Sequence, residues 1–289
     1  MTAYRGLYIN LDRSIDRRDE MERQFAALGL ADRYRRFPAL EGGAPGAPSG
    51  AALTPGEIGC FRSHVAALES ARDERRFVHV VEDDILVSRS LAPYLDESIA
   101  AGRLDGFDVL LTDMYVSCDL RLIKLLANQY AQAMESGRPA FSILNLGKLR
   151  SFASMTSYLV NPAAIARLLD LYRREMAAGP RQPVDLFLRD QVTAGALRAG
   201  CVFPFLTSVK LERIAGNVIT GRQADPRSAL VMACIRYSFY VERDLEGYAG
   251  PILRDAVGPE AAGAVVGNTH RDFLLRAFGH VLSKDFALF

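Results

Sequence analysis

A short apolar run in the first third of this chain ends in three carboxylates. Residues 77–81 (FVHVV) contain no turn former and predict a buried β-strand, and Glu82, Asp83 and Asp84 follow where that strand would leave its sheet. Side chains alternate along extended backbone, so we expect Glu82 and Asp84 on one face and Asp83 on the other. Ligands of open α/β sheets bind just beyond strand carboxyl ends, and clustered carboxylates favour Mg²⁺ or Mn²⁺. A solvated acidic turn, or an acidic cap of the next helix, is the alternative interpretation.

Composition excludes several classes of protein. The 289-residue chain carries 35 Lys and Arg against 34 Asp and Glu, a balance that gives no overall attraction for nucleic acid or bulk membrane. Its four cysteines are far apart and lack any C-x-x-C spacing, which favours a reducing compartment over a disulfide framework or a zinc knuckle. We expect a cytoplasmic protein, because the sequence shows no secretory signal and no window of ~18 apolar residues free of charge.

A basic turn follows the first predicted strand, residues 6–11. Arg13, Arg17 and Arg18 lie in this turn and in the helix start after it, and no G-x-G-x-x-G pattern is present, which counts against an NAD-type Rossmann domain. Guanidinium groups fit phosphate oxygens in a bidentate manner, so a phosphate site is one interpretation. A solvated helix start, with the arginines paired to acidic neighbours, is the other.

A Gly- and Pro-rich surface loop, residues 42–50, precedes a well-marked helix start. Thr54 and Glu57 match a capping box, with Pro55 at the first helical position. The buried stripe of this helix is predicted to contain Ile58, Phe61, Val65 and Leu68. His64 lies on the flank of that stripe, where a satisfied core histidine is commoner than a ligand.

Three segments of the chain, in this order and at this spacing, resemble the motifs of glycosyltransferase family 25. They are residues 8–18 (YINLDRSIDRR), 54–64 (TPGEIGCFRSH) and 82–84 (EDD). The family includes bacterial lipooligosaccharide galactosyltransferases and collagen hydroxylysine galactosyltransferases. The resemblance implies an α/β, GT-A-like, Rossmann-like domain that binds a nucleotide sugar. It also implies UDP-galactose or UDP-glucose as the donor, and inversion at the anomeric carbon.

The same resemblance implies roles for individual residues. Residues implied to bind the donor are Asn10, Leu11, Arg13, Arg17, Arg18, Glu57, Ser63, His64, Glu82, Asp83 and Asp113. The triplet 82–84 corresponds to a DxD-like site, with Asp84 as the first choice for direct metal contact and Glu82 helping through water or the ribose hydroxyls. The implied cofactor is Mn²⁺ or Mg²⁺, because a divalent ion that bridges diphosphate oxygens stabilises the charge of the leaving group.

An inverting transfer needs a carboxylate that takes the proton of the acceptor hydroxyl. Asp185 lies in the first turn of a predicted helix and resembles the family's Pro-x-Asp, so it is our first candidate for the catalytic base. A simple helix cap explains the same residue equally well. Asp190 and Asp113 are the reserve candidates.

The sequence predicts two parts, a glycosyltransferase domain over residues 1–222 and a helical C-terminal appendage over residues 223–289. Helices are predicted over residues 227–245, 251–265 and 272–282. The first is too short and too charged at its ends to span a bilayer. It could pack on the domain, form a homodimer seam or rest on a membrane surface as a peripheral anchor.

Three functions are compatible with the sequence. The first is transfer of a hexose to a saccharide or glycolipid acceptor in lipopolysaccharide or surface-glycan synthesis. The second is transfer to a protein or peptide hydroxyl with the same donor site. The third is a non-catalytic homologue that binds a nucleotide sugar or acts as a scaffold. No nucleic-acid partner is expected.

Overall fold

The computed structural model describes residues 2–43, 53–116, 120–149, 151–216 and 226–252. Within these ranges the strands are β1 (Tyr4–Asn10), β2 (Tyr34–Pro38), β3 (Phe77–Glu82), β4 (Ile85–Val87), β5 (Val109–Leu111), β6 (Ser142–Asn145), β7 (Ser157–Val160), β8 (Ala199–Phe203) and β9 (Thr207–Val209). The α-helices are α1 (Ile15–Ala27), α2 (Pro55–Glu69), α3 (Leu91–Ala100), α4 (Leu120–Met134), α5 (Ile165–Ala178), α6 (Val184–Thr193) and α7 (Pro226–Tyr237). A π-helical turn covers Leu245–Ala249.

Seven strands form the central sheet, in the order β2-β1-β3-β7-β5-β8-β6. Strands β1, β2, β3, β5 and β8 run in one direction, and β6 and β7 run in the other. Strands β4 and β9 form a separate antiparallel pair. A mostly parallel sheet flanked by helices confirms the predicted α/β, Rossmann-like fold class.

Helices cover both faces of the sheet, and β3 shows how the sequence specifies this. Val78 and Val80 pack into the core on the side of α2, whereas Phe77 and Val81 pack into the core on the side of α1 and α3. All four side chains are buried. A strand buried on both faces needs an unbroken apolar run rather than alternation with polar residues, which is the pattern of residues 77–81.

The capping box predicted for α2 is present. The Thr54 hydroxyl accepts from the Glu57 backbone N–H, and the Glu57 carboxylate accepts from the Thr54 backbone N–H at 2.8 Å. This reciprocal pair of bonds fixes where α2 begins, and therefore where its first turn stands beside the end of β3.

The helix predicted over residues 227–245 is shorter in the structure, because α7 ends at Tyr237. The next residues pair with the chain between β8 and β9. The Phe205 N–H donates to the Phe239 carbonyl at 2.9 Å, and the Val241 N–H donates to the Phe205 carbonyl at 3.0 Å. Apolar residues after 237 therefore reflect core packing with extended pairing, which the helical interpretation did not anticipate.

Helix α7 packs into the main core of the sheet domain. Its Leu230, Val231 and Ile235 are buried in the same apolar cluster as β3 and β5. Residues 253–289, which contain the other two predicted helices, lie outside the described residues, as do residues 44–50 and Cys118. In the part of the chain that is described, no helix is long and apolar enough to cross a membrane.

Candidate active site

Several strands deliver polar side chains to one edge of the sheet. Strand β1 ends at Asn10, β3 ends at Glu82, and Asp113 follows shortly after β5. Because β7 is antiparallel to its neighbours, its start lies at the same edge, where the Glu82 N–H donates to the Thr156 carbonyl at 2.8 Å. This is the edge at which open α/β sheets bind ligands.

A cavity of about 420 Å³ opens at this edge, between the start of α1, the segment after β2 and the start of α2. We call it the α1 cavity. Its lining includes eight of the residues for which the family resemblance implies donor binding or metal binding: Leu11, Arg13, Arg17, Ser63, His64, Glu82, Asp83 and Asp84.

A second cavity of about 390 Å³, the α7 cavity, lies between the start of α2, the loop before β7, the start of α6 and helix α7. Its polar lining residues include Glu57, Asp185 and Arg236. Cys60 and Glu82 line both cavities, and we refer to these two side chains as the partition.

The three acids at the end of β3 do not follow the alternation expected of extended backbone. Glu82 faces α2, where its Oε1 lies 3.1 Å from His64 Nε2. Asp83 and Asp84 instead both approach Arg17 of α1, at 3.1 and 3.8 Å. The expectation that Glu82 and Asp84 share a face is therefore wrong, because β3 ends at Glu82 and the next two residues form a turn.

Asp83 is the most firmly held of the three acids. It accepts hydrogen bonds from Asn10 Nδ2 at 2.6 Å and from the Arg17 guanidinium at 3.1 Å. Asn10 is fixed in turn by Arg36, whose Nε donates to Asn10 Oδ1 at 2.9 Å. Burial raises the pKa of Asp83 although these bonds favour its charged form. Asn10 does not line the α1 cavity itself, but it holds the Asp83 carboxylate that does.

Asp84 is buried with an unsatisfied oxygen. Its Oδ1 is shielded from solvent and has no hydrogen-bond partner among the described residues. Burial, and then the charges of Glu82 and Asp83, raise the pKa of Asp84 from 3.8 to about 7. A carboxylate in such surroundings is costly unless a cation relieves it, and hard divalent ions prefer oxygen ligands. Asp84 therefore fits the role of a ligand for Mn²⁺ or Mg²⁺.

Glu82 has a different environment from Asp84. Its Oε1 accepts from His64 and from the Cys60 thiol, at 3.1 and 3.6 Å. Burial alone would raise the pKa of Glu82, but the hydrogen bonds from His64 and Cys60, together with the charges of His64 and Arg236, outweigh it and lower that pKa. The other ring nitrogen of His64 lies 3.0 Å from the Tyr158 hydroxyl. His64 is thus a satisfied core residue that also lines the α1 cavity.

Two further residues that the sequence singled out, Arg13 and Ser63, line the α1 cavity. Arg13 is exposed and paired with Glu41 across the mouth of the cavity. Ser63 ties the segment after β2 to α2, since its Oγ accepts from the Leu40 N–H at 2.8 Å and donates to the Gly59 carbonyl at 2.6 Å.

Four of the residues implied to bind the donor do not line the α1 cavity: Asn10, Arg18, Glu57 and Asp113. Arg18 lines neither cavity and pairs with Asp19 at 4.0 Å. Glu57 completes the capping box of α2 and lines the α7 cavity rather than the α1 cavity. The arginine that reaches the acids from α1 is therefore Arg17.

Asp185 lies in the first turn of α6 and lines the α7 cavity. Its Oδ1 accepts from the Leu186 N–H at 2.9 Å, and no ion pair reaches it among the described residues. Burial is the main cause that raises the pKa of Asp185, and the charge of Glu82 adds to it. A carboxyl group with a raised pKa is a stronger base than a solvated one.

The two reserve candidates have other surroundings. Asp190 is exposed on the same helix, accepts from Gln182 at 2.9 Å and lines neither cavity. Asp113 is fully buried and lies outside both cavity linings. It accepts from Arg236 Nε at 3.0 Å, and it therefore holds the guanidinium that lines the α7 cavity.

A comparison with protein-family models shows the family to which the chain belongs. The model of glycosyltransferase family 25, described as an LPS biosynthesis protein family, matches residues 5–188. The chain belongs to glycosyltransferase family 25. No curated protein sequence matches it. Membership supports glycosyl transfer as the activity, and it agrees with the resemblance seen in the three sequence motifs.

The family 25 match covers the α1 cavity completely and the α7 cavity in part. Val209, Ile214, Ala229, Ala233 and Arg236 also line the α7 cavity, and all of them follow residue 188. A segment outside the matched region thus completes the second cavity of this family 25 domain.

Two side chains with polar contacts in the cavities, Arg236 and Cys60, were not singled out as site residues from the sequence. Arg236 directly follows the apolar stretch 229–235, and a single arginine at that place gives no signal of where its guanidinium points. Cys60 stands four residues before His64, a spacing that places both on one side of α2. That spacing was the available signal for a shared site.

Proposed function

We propose that this family 25 protein transfers a hexose, galactose or glucose, from a UDP-sugar to a hydroxyl of a saccharide acceptor in lipopolysaccharide or surface-glycan synthesis, with inversion. The donor binds in the α1 cavity and the acceptor in the α7 cavity. The observation that carries the proposal is the shared partition, because the two substrates of a transfer must meet. Two cavities that adjoin at Glu82 meet this need.

The α1 cavity suits a nucleoside diphosphate. Arg13 and Arg17 present guanidinium groups to it, and these match phosphate oxygens in charge and shape. Asp84 provides the free carboxylate oxygen for Mn²⁺ or Mg²⁺. Such an ion would neutralise charge that develops on the leaving diphosphate. Asp83, held by Asn10 and Arg17, keeps the turn that presents Asp84 in place.

The α7 cavity suits an uncharged hydroxyl acceptor, with Asp185 as the base. Asp185 lies in the cavity next to the donor and has no cationic partner among the described residues. Its raised pKa makes it able to accept the hydroxyl proton as that oxygen attacks the sugar. Inverting transfer is a single displacement, so it needs no protein nucleophile.

The chain offers a matched pair of variants to test the base. Asp185→Asn should lower the transfer rate by roughly 10²- to 10⁴-fold, the usual contribution of a general base, while UDP-sugar binding persists. Asp190→Asn changes the same functional group on the same helix, but at an exposed position outside both cavities. It should keep the transfer rate of the unmodified protein. Full activity in the Asp185→Asn variant would contradict the assignment.

Donor identity can be measured by thermal stabilisation. A ligand that binds only the folded state raises Tm, so UDP-hexoses with Mn²⁺ should raise it and GDP- or CMP-sugars should not. Acceptors are then compared by product formation with lipid-linked saccharides, free saccharides and hydroxyl peptides. Transfer to peptides alone would replace the saccharide acceptor by a protein acceptor. Donor binding without transfer or donor hydrolysis would indicate a non-catalytic homologue.

A further inference from the structure

The partition between the two cavities contains a set of metal-ligating atoms that the proposed transfer does not use. Cys60 and His64 are four residues apart on α2, and Glu82 ends β3 beside them. One ligand atom from each, Cys60 Sγ, His64 Nε2 and a Glu82 oxygen, all lie within 4.8 Å of one another. Among the described residues, no other three His, Cys, Asp or Glu side chains converge in this way.

We propose that Cys60, His64 and Glu82 form a Zn²⁺ site in the partition, separate from the Asp84 oxygen. The ligand types decide the metal. A sulfur, an imidazole nitrogen and one carboxylate oxygen suit Zn²⁺, whereas Mg²⁺ and Mn²⁺ favour oxygen-only sites such as that of Asp84.

The distances suit a tetrahedral ion. Donors bound to Zn²⁺ at their usual bond lengths stand roughly 3.3–3.6 Å from each other. Glu82 Oε1 lies 3.1 Å from His64 Nε2 and 3.6 Å from Cys60 Sγ. The ion would take the place of the two hydrogens that Glu82 Oε1 accepts now, so the three side chains need little rearrangement.

The surroundings support the proposal in two ways. The Tyr158 hydroxyl lies 3.0 Å from His64 Nδ1, where it can donate to Nδ1 while Nε2–H donates to Glu82, and accept from Nδ1–H in the tautomer that a metal on Nε2 requires. Cys60 and Glu82 line both cavities, which gives an ion a path of entry and leaves a fourth position for water. Binding displaces the Cys60 thiol proton to solvent, because the metal ligand is the thiolate, and it moves the His64 proton from Nε2 to Nδ1 by exchange with solvent.

Zinc at this position should inhibit transfer. The ion would fix Glu82 and place a positive charge between the donor and the acceptor, at the point where they must meet. This consequence rests on the proposed function, whereas the site itself does not.

The site is tested first with Co²⁺ as a spectroscopic probe for Zn²⁺, on the full chain. A thiolate ligand gives an intense Co²⁺ charge-transfer band in the near ultraviolet, and we expect this band to appear and to vanish when Zn²⁺ is added. Cys60→Ser should abolish it, and Tyr158→Phe should weaken binding roughly tenfold through loss of the supporting contact. Cys118→Ser, the matched cysteine control, should retain the band.

A measurement on the unmodified protein guards against a Cys60 variant that fails to fold. Zn²⁺ should slow alkylation of Cys60, located by peptide mass spectrometry, and Mg²⁺ should not. A missing band in the unmodified protein, a band that persists in Cys60→Ser, or unchanged alkylation with Zn²⁺ would each overturn the site. A Co²⁺ band without inhibition of transfer by Zn²⁺ would keep the site and refute the inhibitory role.

Discussion

Replacing Asp84 by Asn measures how much the ionised Asp84 carboxylate lowers the free energy of unfolding. Asp84 is 4% exposed, and its Oδ1 has no hydrogen-bond partner among the described residues. Its pKa rises from 3.8 to about 7. Each pKa unit corresponds to about 1.4 kcal/mol, so ionised Asp84 destabilises the folded state by up to about 4 kcal/mol. Glu82 and Asp83 share this repulsion, which makes the figure a ceiling.

The sign of the effect depends on pH. A carboxyl whose pKa is raised by folding holds its proton more tightly in the folded state, so its destabilising effect begins as pH rises through 3.8 and levels off above about 7. Asp84→Asn removes the ionisation. The variant should therefore gain almost nothing near pH 4 and gain most at pH 8. One kcal/mol changes Tm by roughly 2–4 °C in a chain of this size, so we expect a rise of several degrees at pH 8.

The assay is thermal unfolding of both proteins at pH 4 and pH 8, with and without Mn²⁺. Mn²⁺ should raise Tm of the unmodified protein at pH 8 and leave the Asp84→Asn variant unchanged, because the ion loses its ligand. The variant should also lose transfer activity. Asp190→Asn, an exposed carboxylate, is the control and should not shift Tm at either pH. A lower Tm for Asp84→Asn than for the unmodified protein at pH 8, without metal, would show that the ionised Asp84 carboxylate does not destabilise the fold.

Three further predictions concern the surroundings of the site. Gly59→Ala places a Cβ 2.7 Å from the Leu40 carbonyl oxygen and the Gly42 nitrogen, so it should cost about 1–3 kcal/mol and weaken UDP-sugar binding, measured by denaturation and thermal shift. Arg236→Met leaves the buried Asp113 without its cationic partner and should cost about 3–5 kcal/mol in urea denaturation, and adding Asp113→Asn should restore part of it. Burial lowers the pKa of His79 from 6.5 to about 3. The free energy of unfolding should therefore fall by about 1.4 kcal/mol for each pH unit as the pH drops from 6.5 to 3, because only the unfolded chain takes up the proton. In denaturation measured across this pH range, His79→Gln should remove this dependence on pH.

The sequence predicted the elements whose signals are local. The apolar run 77–81, the capping box of Thr54 and the three-acid end of β3 all depend on near neighbours in the chain, and the structure contains each of them. The resemblance to the family motifs also placed most of the α1 cavity, because those motifs are the strand ends and helix starts that surround it.

The missed features depend on distant contacts. The turn after Glu82 rotates Asp84 toward Arg17 of α1, and only the folded contact shows this. Arg236 is positioned by Asp113, 123 residues earlier in the chain. The apolar pattern after Tyr237 fits a helix, but pairing with Phe205 ends that helix. Periodicity reports which residues are buried, and it does not report which partner buries them.

Four acids at or beside the two cavities separate into two groups by their partners. Asp113 is paired with Arg236, and Glu82 accepts from His64, so a basic side chain donates to each of these two carboxylates. Among the described residues, no basic side chain donates a hydrogen bond to Asp84 or Asp185: Asp84 lies 3.8 Å from Arg17 with its Oδ1 unsatisfied, and Asp185 accepts from the Leu186 N–H. Burial is the main cause that raises the pKa of both. Asp84 and Asp185 lie one in each cavity, on either side of the partition, which is the arrangement needed if one binds a cation with the donor and the other takes a proton from the acceptor.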